Sequence, residues 1–211
     1  MRSGDAGGAR TALIRALDLD PKCYQAYAYL ATVDLAEKKS EAALQSAEKA
    51  VALAPESALA RESLATVAFF LGDAATARRE LDLALEINPT NSAWHFNKGL
   101  TLDSISRFSE AIEAYEAALE LSPGDLEILN SLGVDYTRTG QYDRAIATFE
   151  YIQQLDSRFE PCYCNRIITY TEMGLHDQAE QMFYLAQQLE PDCALCYYNI
   201  GNSLFARGQY K

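Results

Sequence analysis

A five-residue phrase recurs along this chain at a spacing of 34: LDLDP at 17–21, VALAP at 51–55, LEINP at 85–89, LELSP at 119–123 and, after one altered beat, QQLEP at 187–191. The altered beat is QQLDS at 153–157, where Ser157 stands in phase for the proline. A period of this length, held through the whole chain, means a stack of small units. One such unit cannot bury its apolar face alone and must bury it against its neighbours.

The period divides the chain into five full repeats, 24–57, 58–91, 92–125, 126–159 and 160–193, with a half repeat at each end, 1–23 and 194–211. Each full repeat reads as two helices and a tight turn. In the repeat that starts at 126, Leu129, Leu132, Gly133 and Tyr136 are apolar or small at spacings of three and four. Gly140 breaks that pattern, and Ala145, Phe149 and Ile152 resume it on a second helix. Proline stops the second helix because it lacks an N–H and disfavours helix in the residue before it.

Small residues mark fixed phases: Ala31, Ala65, Gly99, Gly133 and Gly201 in mid-first-helix, and Ala9, Ala43, Ala77, Ala111, Ala145 and Ala179 in the second helix. Another set stands near the second helix's end, at Ala16, Ala50, Ala84, Ala118 and Ala186, with Ile152 as the exception. With ALCYYNIGN at 194–202 and GQY at 208–210, these residues resemble the tetratricopeptide repeat family over essentially the whole chain. The resemblance implies an all-α, right-handed superhelical solenoid of antiparallel helix pairs, a single solenoid over 1–211, whose first helices line a concave groove. Ile167 in place of the small residue puts the helix spacing of its repeat in question, and so does Asp34 at an apolar position for the packing of its own. Trp94 stands where Ala26 and Ala60 stand and is read as packing on the preceding repeat. Lys98 and Arg166 are read as stems that pack while their charges reach water.

The net charge is −12, from 18 basic against 30 acidic residues. A nucleic-acid role calls for a basic surface, and an anionic membrane surface attracts the same sign, so neither partner is expected. No apolar run approaches the roughly 20 residues of a membrane helix. Residues 1–8 are glycine-rich and polar, read as a frayed leader or expression scar, without the apolar stretch of a secretory signal. A cytoplasmic location follows as the default. Ala9 to Leu19 reads as a second-type helix with no first helix before it, and 194–211 as a first helix with no second.

No catalytic constellation stands out: G-x-S-x-G, the P-loop and G-x-G-x-x-G are all missing, and His95 and His176 are isolated. The chain is read as a non-enzyme without cofactor or metal. Cys162 and Cys164 form a C-x-C and Cys193 and Cys196 a C-x-x-C, which invites a zinc reading. That reading is set aside, because zinc pairs usually come as two C-x₂₋₄-C units or with histidines, and Cys162 and Cys196 share the repeat position of Ala26 and Ala60. With Cys23 the count is odd, which suits a reducing compartment, so no disulfide is expected.

Function must then come from the groove. The resemblance maps groove-lining positions onto the first helices, where the charged residues are Glu62, Asp103, Glu127, Glu172 and Arg138. The acidity therefore lies mostly elsewhere, including the stripe Glu110, Glu113, Glu116 and Glu120 on an outer face. Chaperone-binding relatives clamp a peptide carboxylate with lysine, asparagine and arginine. The matching positions here hold Phe96, Leu100, Ser131, Pro161 and Asn165, so acidic chaperone tails are not expected to bind. One groove position holds Asn97, Ser131, Asn165 and Asn199, a series similar to the asparagine ladder of O-linked N-acetylglucosamine transferases. An amide carries donor and acceptor together and can read an extended backbone. Asn130 and Asn202 extend the amide set, and Phe70, Phe96, Tyr198 and Phe205 add aromatic surface.

The leading expectation is a protein-interaction scaffold that binds an extended, neutral-to-basic peptide in its concave groove. The alternatives are the substrate-recruiting arm of a larger enzyme such as a glycosyltransferase, or a self-assembling unit. In the last, Leu13 and Leu17 at one end meet Ile200 and Leu204 at the other, giving a homo-oligomer joined end to end.

Overall fold

The computed structural model describes residues 6–208, and among these every regular element is an α-helix. First helices run Tyr24–Ala36 (α2), Ala58–Phe70 (α4), Ser92–Ser104 (α6), Leu126–Arg138 (α8), Glu160–Glu172 (α10) and Ala194–Ala206 (α12). Second helices run Ala6–Leu19 (α1), Ser40–Leu53 (α3), Ala74–Ile87 (α5), Phe108–Leu121 (α7), Tyr142–Leu155 (α9) and His176–Leu189 (α11). Every first helix thus starts 34 residues after the last, and so does every second helix. α1 begins at Ala6, ahead of the expected Ala9, so positions 6–8 of the expected frayed leader are helical. The rest of that leader, 1–5, lies outside the described residues, as do Gln209 and Tyr210 of the turn motif.

The helices form an all-α repeat solenoid whose contacts gather into two compact units, residues 1–107 and 108–211. In the first, α2 packs on α3 and α4 on α5, and α2 also packs directly on α4. In the second, α8 packs on α9, α10 on α11, and α10 on both α8 and α12. In the first unit α2 and α4 are therefore neighbours, and in the second α8, α10 and α12 are, which lays outward residues of neighbouring first helices side by side within each unit.

The core is built from the small residues in phase. Ala43, Ala50, Ala77, Ala84, Ala111, Ala118, Ala145, Ala179 and Ala186 are all fully buried. Trp94 is 5% exposed and packs with Ala65, Leu81 and Ala84 of the preceding repeat, as its phase predicts. At Gly133 the approach is tight: a Cβ there would stand 2.6 Å from the ring of the fully buried Phe149. Ile167, one repeat on, fills the same phase with its own fully buried side chain. Phe183, the counterpart of Phe149, is only partly buried and lies edge-on to Tyr197 with ring centroids 5.0 Å apart.

The turn within each repeat sets a left-handed residue at one phase. Gly72, Gly140, Gly174 and Gly208 have φ between 73° and 80°, while Lys38 at 60° and Ser106 at 59° take the same conformation with a Cβ. Three first helices carry oxygen caps, Ser57 on α4, Asn91 on α6 and Asp125 on α8, and Asp73 caps the second helix α5. Burial of Asp34 is resolved by Arg10 of α1, whose guanidinium donates to Asp34 at 2.6 Å and to Glu37 at 2.8 Å. Arg166 departs from the snorkelling expectation. It is 5% exposed and donates through its two terminal nitrogens to Gln153, Glu150 and the Tyr170 hydroxyl, while its Nε is buried without a hydrogen-bond partner. Lys98 instead pairs with Asp82 at 2.6 Å.

Candidate functional site

In the first unit, the outward residues of α2 and α4 form an open cleft of about 210 Å³ lined by Ala28, Tyr29, Thr32, Leu59, Glu62, Ser63 and Thr66. All lie on first helices, onto which the family resemblance maps the groove. Tyr29 at its rim is 54% exposed, and Phe70, stacked edge-on against Phe69, is 67% exposed. A smaller cavity of about 40 Å³ follows between α4 and α6, where Asn97 joins Thr66, Phe69, Leu100 and Thr101. Phe96 is partly buried beside it in sequence.

In the second unit, the polar residues of the amide position are engaged across the repeats. Asn165 Nδ2 donates to Asn130 Oδ1 at 2.8 Å, and Asn199 Nδ2 donates to the Cys164 carbonyl at 3.2 Å. Ser63, at the same phase in the first unit, donates to the Ala28 carbonyl at 3.0 Å. Each of these bonds joins residues 35 apart, one more than the repeat, because neighbouring first helices are slightly offset. Ser131 instead donates to its own helix at Glu127. Asn199 is 5% exposed. These amides tie one first helix to the next, whereas Asn202, Tyr198 and Phe205 stand exposed on α12.

The end surfaces differ from the sequence reading. Ile200 is 7% exposed, and Leu13, Leu17 and Leu204 are partly buried, so the four leucine and isoleucine side chains are not an open apolar patch. Packing of α1 on α2 and of α10 on α12 accounts for this. His176 opens α11, with Nδ1 2.9 Å from the buried Ser203 hydroxyl.

The cysteines also correct the sequence reading. Cys164 and Cys196 are joined as a disulfide between α10 and α12, their Cα atoms 5.1 Å apart. Cys193 Sγ lies 3.7 Å from Cys164 Sγ and accepts the Cys196 N–H at 3.4 Å. Glu160 Oε1 lies 2.7 Å from Cys164 Sγ and 3.0 Å from Cys196 Sγ. Cys162 takes no part: it is fully buried, and burial pushes its thiol up to about 11. Burial also raises the Cys193 thiol. The two halves of the C-x-C motif point different ways, because neighbouring positions on a helix are about 100° apart each. The signal missed in the sequence is Glu160, one helical turn before Cys164.

The Tyr136 hydroxyl donates to Glu116 at 2.6 Å, and Arg144 binds the same oxygen at 2.6 Å, so one member of the outer glutamate stripe braces α7 against α8 and α9. Burial, then this bond, raises the Tyr136 hydroxyl far above its ordinary value. No helix among the described residues is long and apolar enough to cross a membrane.

A family model described as a tetratricopeptide repeat matches residues 1–58, 32–92, 62–125 and 96–158. No curated protein sequence matches at a significant level. Among solved structures, PilW, described as a widely conserved type IV pilus biogenesis factor, superposes with a TM-score of 0.84 at 21% identity over 94% of this chain and 92% of its own. YrrB, described as a TPR protein with an unusual peptide-binding site, gives 0.74 at 21% identity over 89% and 96%. MamA from Desulfovibrio magneticus RS-1 gives 0.74 at 19% identity over 81% and 97%. Identities this low carry the fold alone.

Proposed function

This chain belongs to the tetratricopeptide repeat family of protein-interaction scaffolds, and we propose that its first-helix face takes an extended, neutral-to-basic segment of another protein. The observation that carries the reading is the cleft between α2 and α4. It is open, with exposed Tyr29 in its wall and Glu62 as the one charged side chain that lines it, and Phe70 stands exposed one helical turn after Thr66 on α4. Exposed aromatics bind with much apolar area and little lost freedom, and a lone acid favours a neutral or basic ligand. The peptide-binding site in the description of YrrB supports the same kind of ligand. Asn97, on the α4–α6 cavity of the same unit, supplies a backbone-reading amide, since Asn165 and Asn199 already donate inside the fold. On this reading the protein works without catalysis or cofactor, in the cytoplasm.

A peptide-display selection tests this, run in parallel on the parent and on Tyr29→Ala/Phe70→Ala/Asn97→Ala. Peptides enriched by the parent and lost in the variant bear the reading out. Equal enrichment on both removes the first-helix face as the site.

A second reading, self-association, is favoured by Tyr197, Tyr198, Leu195 and Phe205, all well exposed on α12. Sedimentation that shows a monomer at high concentration rules it out. The reading as a recruiting arm of a larger enzyme uses the same face, and the coding sequence past Lys211 decides it.

A further inference from the structure

Four ligand atoms converge between α10 and α12: Sγ of Cys164, Cys193 and Cys196, and a carboxylate oxygen of Glu160, all within 4.8 Å of one another. Tetrahedral zinc with Zn–S near 2.3 Å sets neighbouring sulfurs ~3.8 Å apart, and the Cys164–Cys193 separation is 3.7 Å. The two donors of the C-x-x-C sit at a helix start, where Cys193 caps α12 and receives the Cys196 N–H. An amide aimed at a sulfur in this way favours its anionic form. Cys164 and Cys196 are buried, while Glu160 and Cys193 are half-buried, so an ion has a way in and few waters to compete with.

A hydrogen bond between the Cys193 thiol and Glu160 relieves this crowding only in part. A disulfide has no proton to donate, yet the Glu160 carboxylate stands within 3.0 Å of both of its sulfurs, with a third sulfur alongside. Lone pairs from four atoms face one point, and a divalent cation at that point turns mutual repulsion into ligation.

We propose that the reduced protein binds one zinc ion here, held by the thiolates of Cys164, Cys193 and Cys196 and the carboxylate of Glu160. Reduction of the Cys164–Cys196 bond by a dithiol supplies two electrons and two protons and leaves two thiols. Zinc then displaces the thiol protons of all three cysteines to solvent. Four protein ligands close the coordination sphere, so the ion is a structural staple that ties α10 to α12 and not a hydrolytic centre. Soft thiolates with one carboxylate select zinc over magnesium or calcium.

The test is anaerobic titration of the reduced full chain with Co²⁺, followed by displacement with Zn²⁺. The expected result is one Co²⁺ per chain, a near-ultraviolet sulfur-to-cobalt band, visible bands of tetrahedral intensity, and loss of both on adding Zn²⁺. Cys193→Ser and Glu160→Gln should weaken binding by about tenfold or more, whereas Cys162→Ser should leave it unchanged, with circular dichroism showing each variant folded. A reduced parent protein that takes up neither metal and simply re-forms the Cys164–Cys196 bond overturns the proposal and leaves that pair a plain disulfide. So does a spectrum that survives Cys193→Ser, or one that is lost in Cys162→Ser.

Discussion

At the residue scale the packing is decided by which side chain fills the small phase of the first helix. Gly133 leaves room for the Phe149 ring and no more, since a Cβ there would stand 2.6 Å from it. Gly133→Ala should therefore destabilise by about 1–3 kcal/mol through a displaced ring. Gly201, at the same phase on α12, has nothing within 4 Å of an added Cβ. Gly201→Ala should be neutral or stabilise by about 0.5–1 kcal/mol, from helix propensity alone. Paired urea melts check both, and equal effects at the two positions contradict this packing account. The sequence showed the phase of these residues but not this difference, because it lies in how each ring settles after its neighbours have. Ile167 is the plainest case. Its size was legible; that Phe183 turns toward Tyr197 instead was not.

At the element scale two local devices hold the helices in place. The turn needs a positive φ in every repeat, and Lys38 and Ser106 adopt it with side chains that disfavour it. Lys38→Gly and Ser106→Gly should each raise stability by about 1 kcal/mol, read as a higher denaturant midpoint with an unchanged slope. The second device docks α1 on α2 through Arg10, Asp34 and Glu37. Glu37 is held below its ordinary 4.5 by its bonds to Lys39 and then Arg10. A carboxylate depressed in this way stabilises the fold above its ordinary value and loses that contribution as pH falls through its folded value. Amide exchange in α1 should thus speed up below about pH 4.5 before the exchange of α8 does, and Arg10→Ala should make α1 fast at neutral pH as well. Helix phase made the docking pair visible only as an oddity at Asp34. Its partner lies 24 residues upstream, a separation set by how α1 lies on α2.

At the scale of the whole molecule the repeat was the most legible feature, since the helix starts keep the 34-residue period set by the prolines. The candidate site was legible only in part. Residues of α2 and α4 line one cleft, while at the amide position Ser63, Asn165 and Asn199 join consecutive first helices at a separation of 35. A periodic polar residue signals a periodic role, and the period alone does not say whether the partner is a ligand or the next repeat. The converging cysteines show the same limit: Cys164 meets Cys196 at a separation of 32, and the fourth donor is a glutamate outside the cysteine spacing.

The central claim is that ligand binds on the first-helix face. The most direct measurement is the affinity of one display-selected peptide for two surface variants. Tyr29→Ser/Phe70→Ser removes exposed rings from the first helices α2 and α4, and Tyr151→Ser/Tyr184→Ser removes exposed rings from the second helices α9 and α11. The account predicts a loss of about tenfold or more, the usual effect of truncating an anchor ring, in the first variant and parental affinity in the second. Loss confined to the second variant, or the same affinity in both, contradicts it.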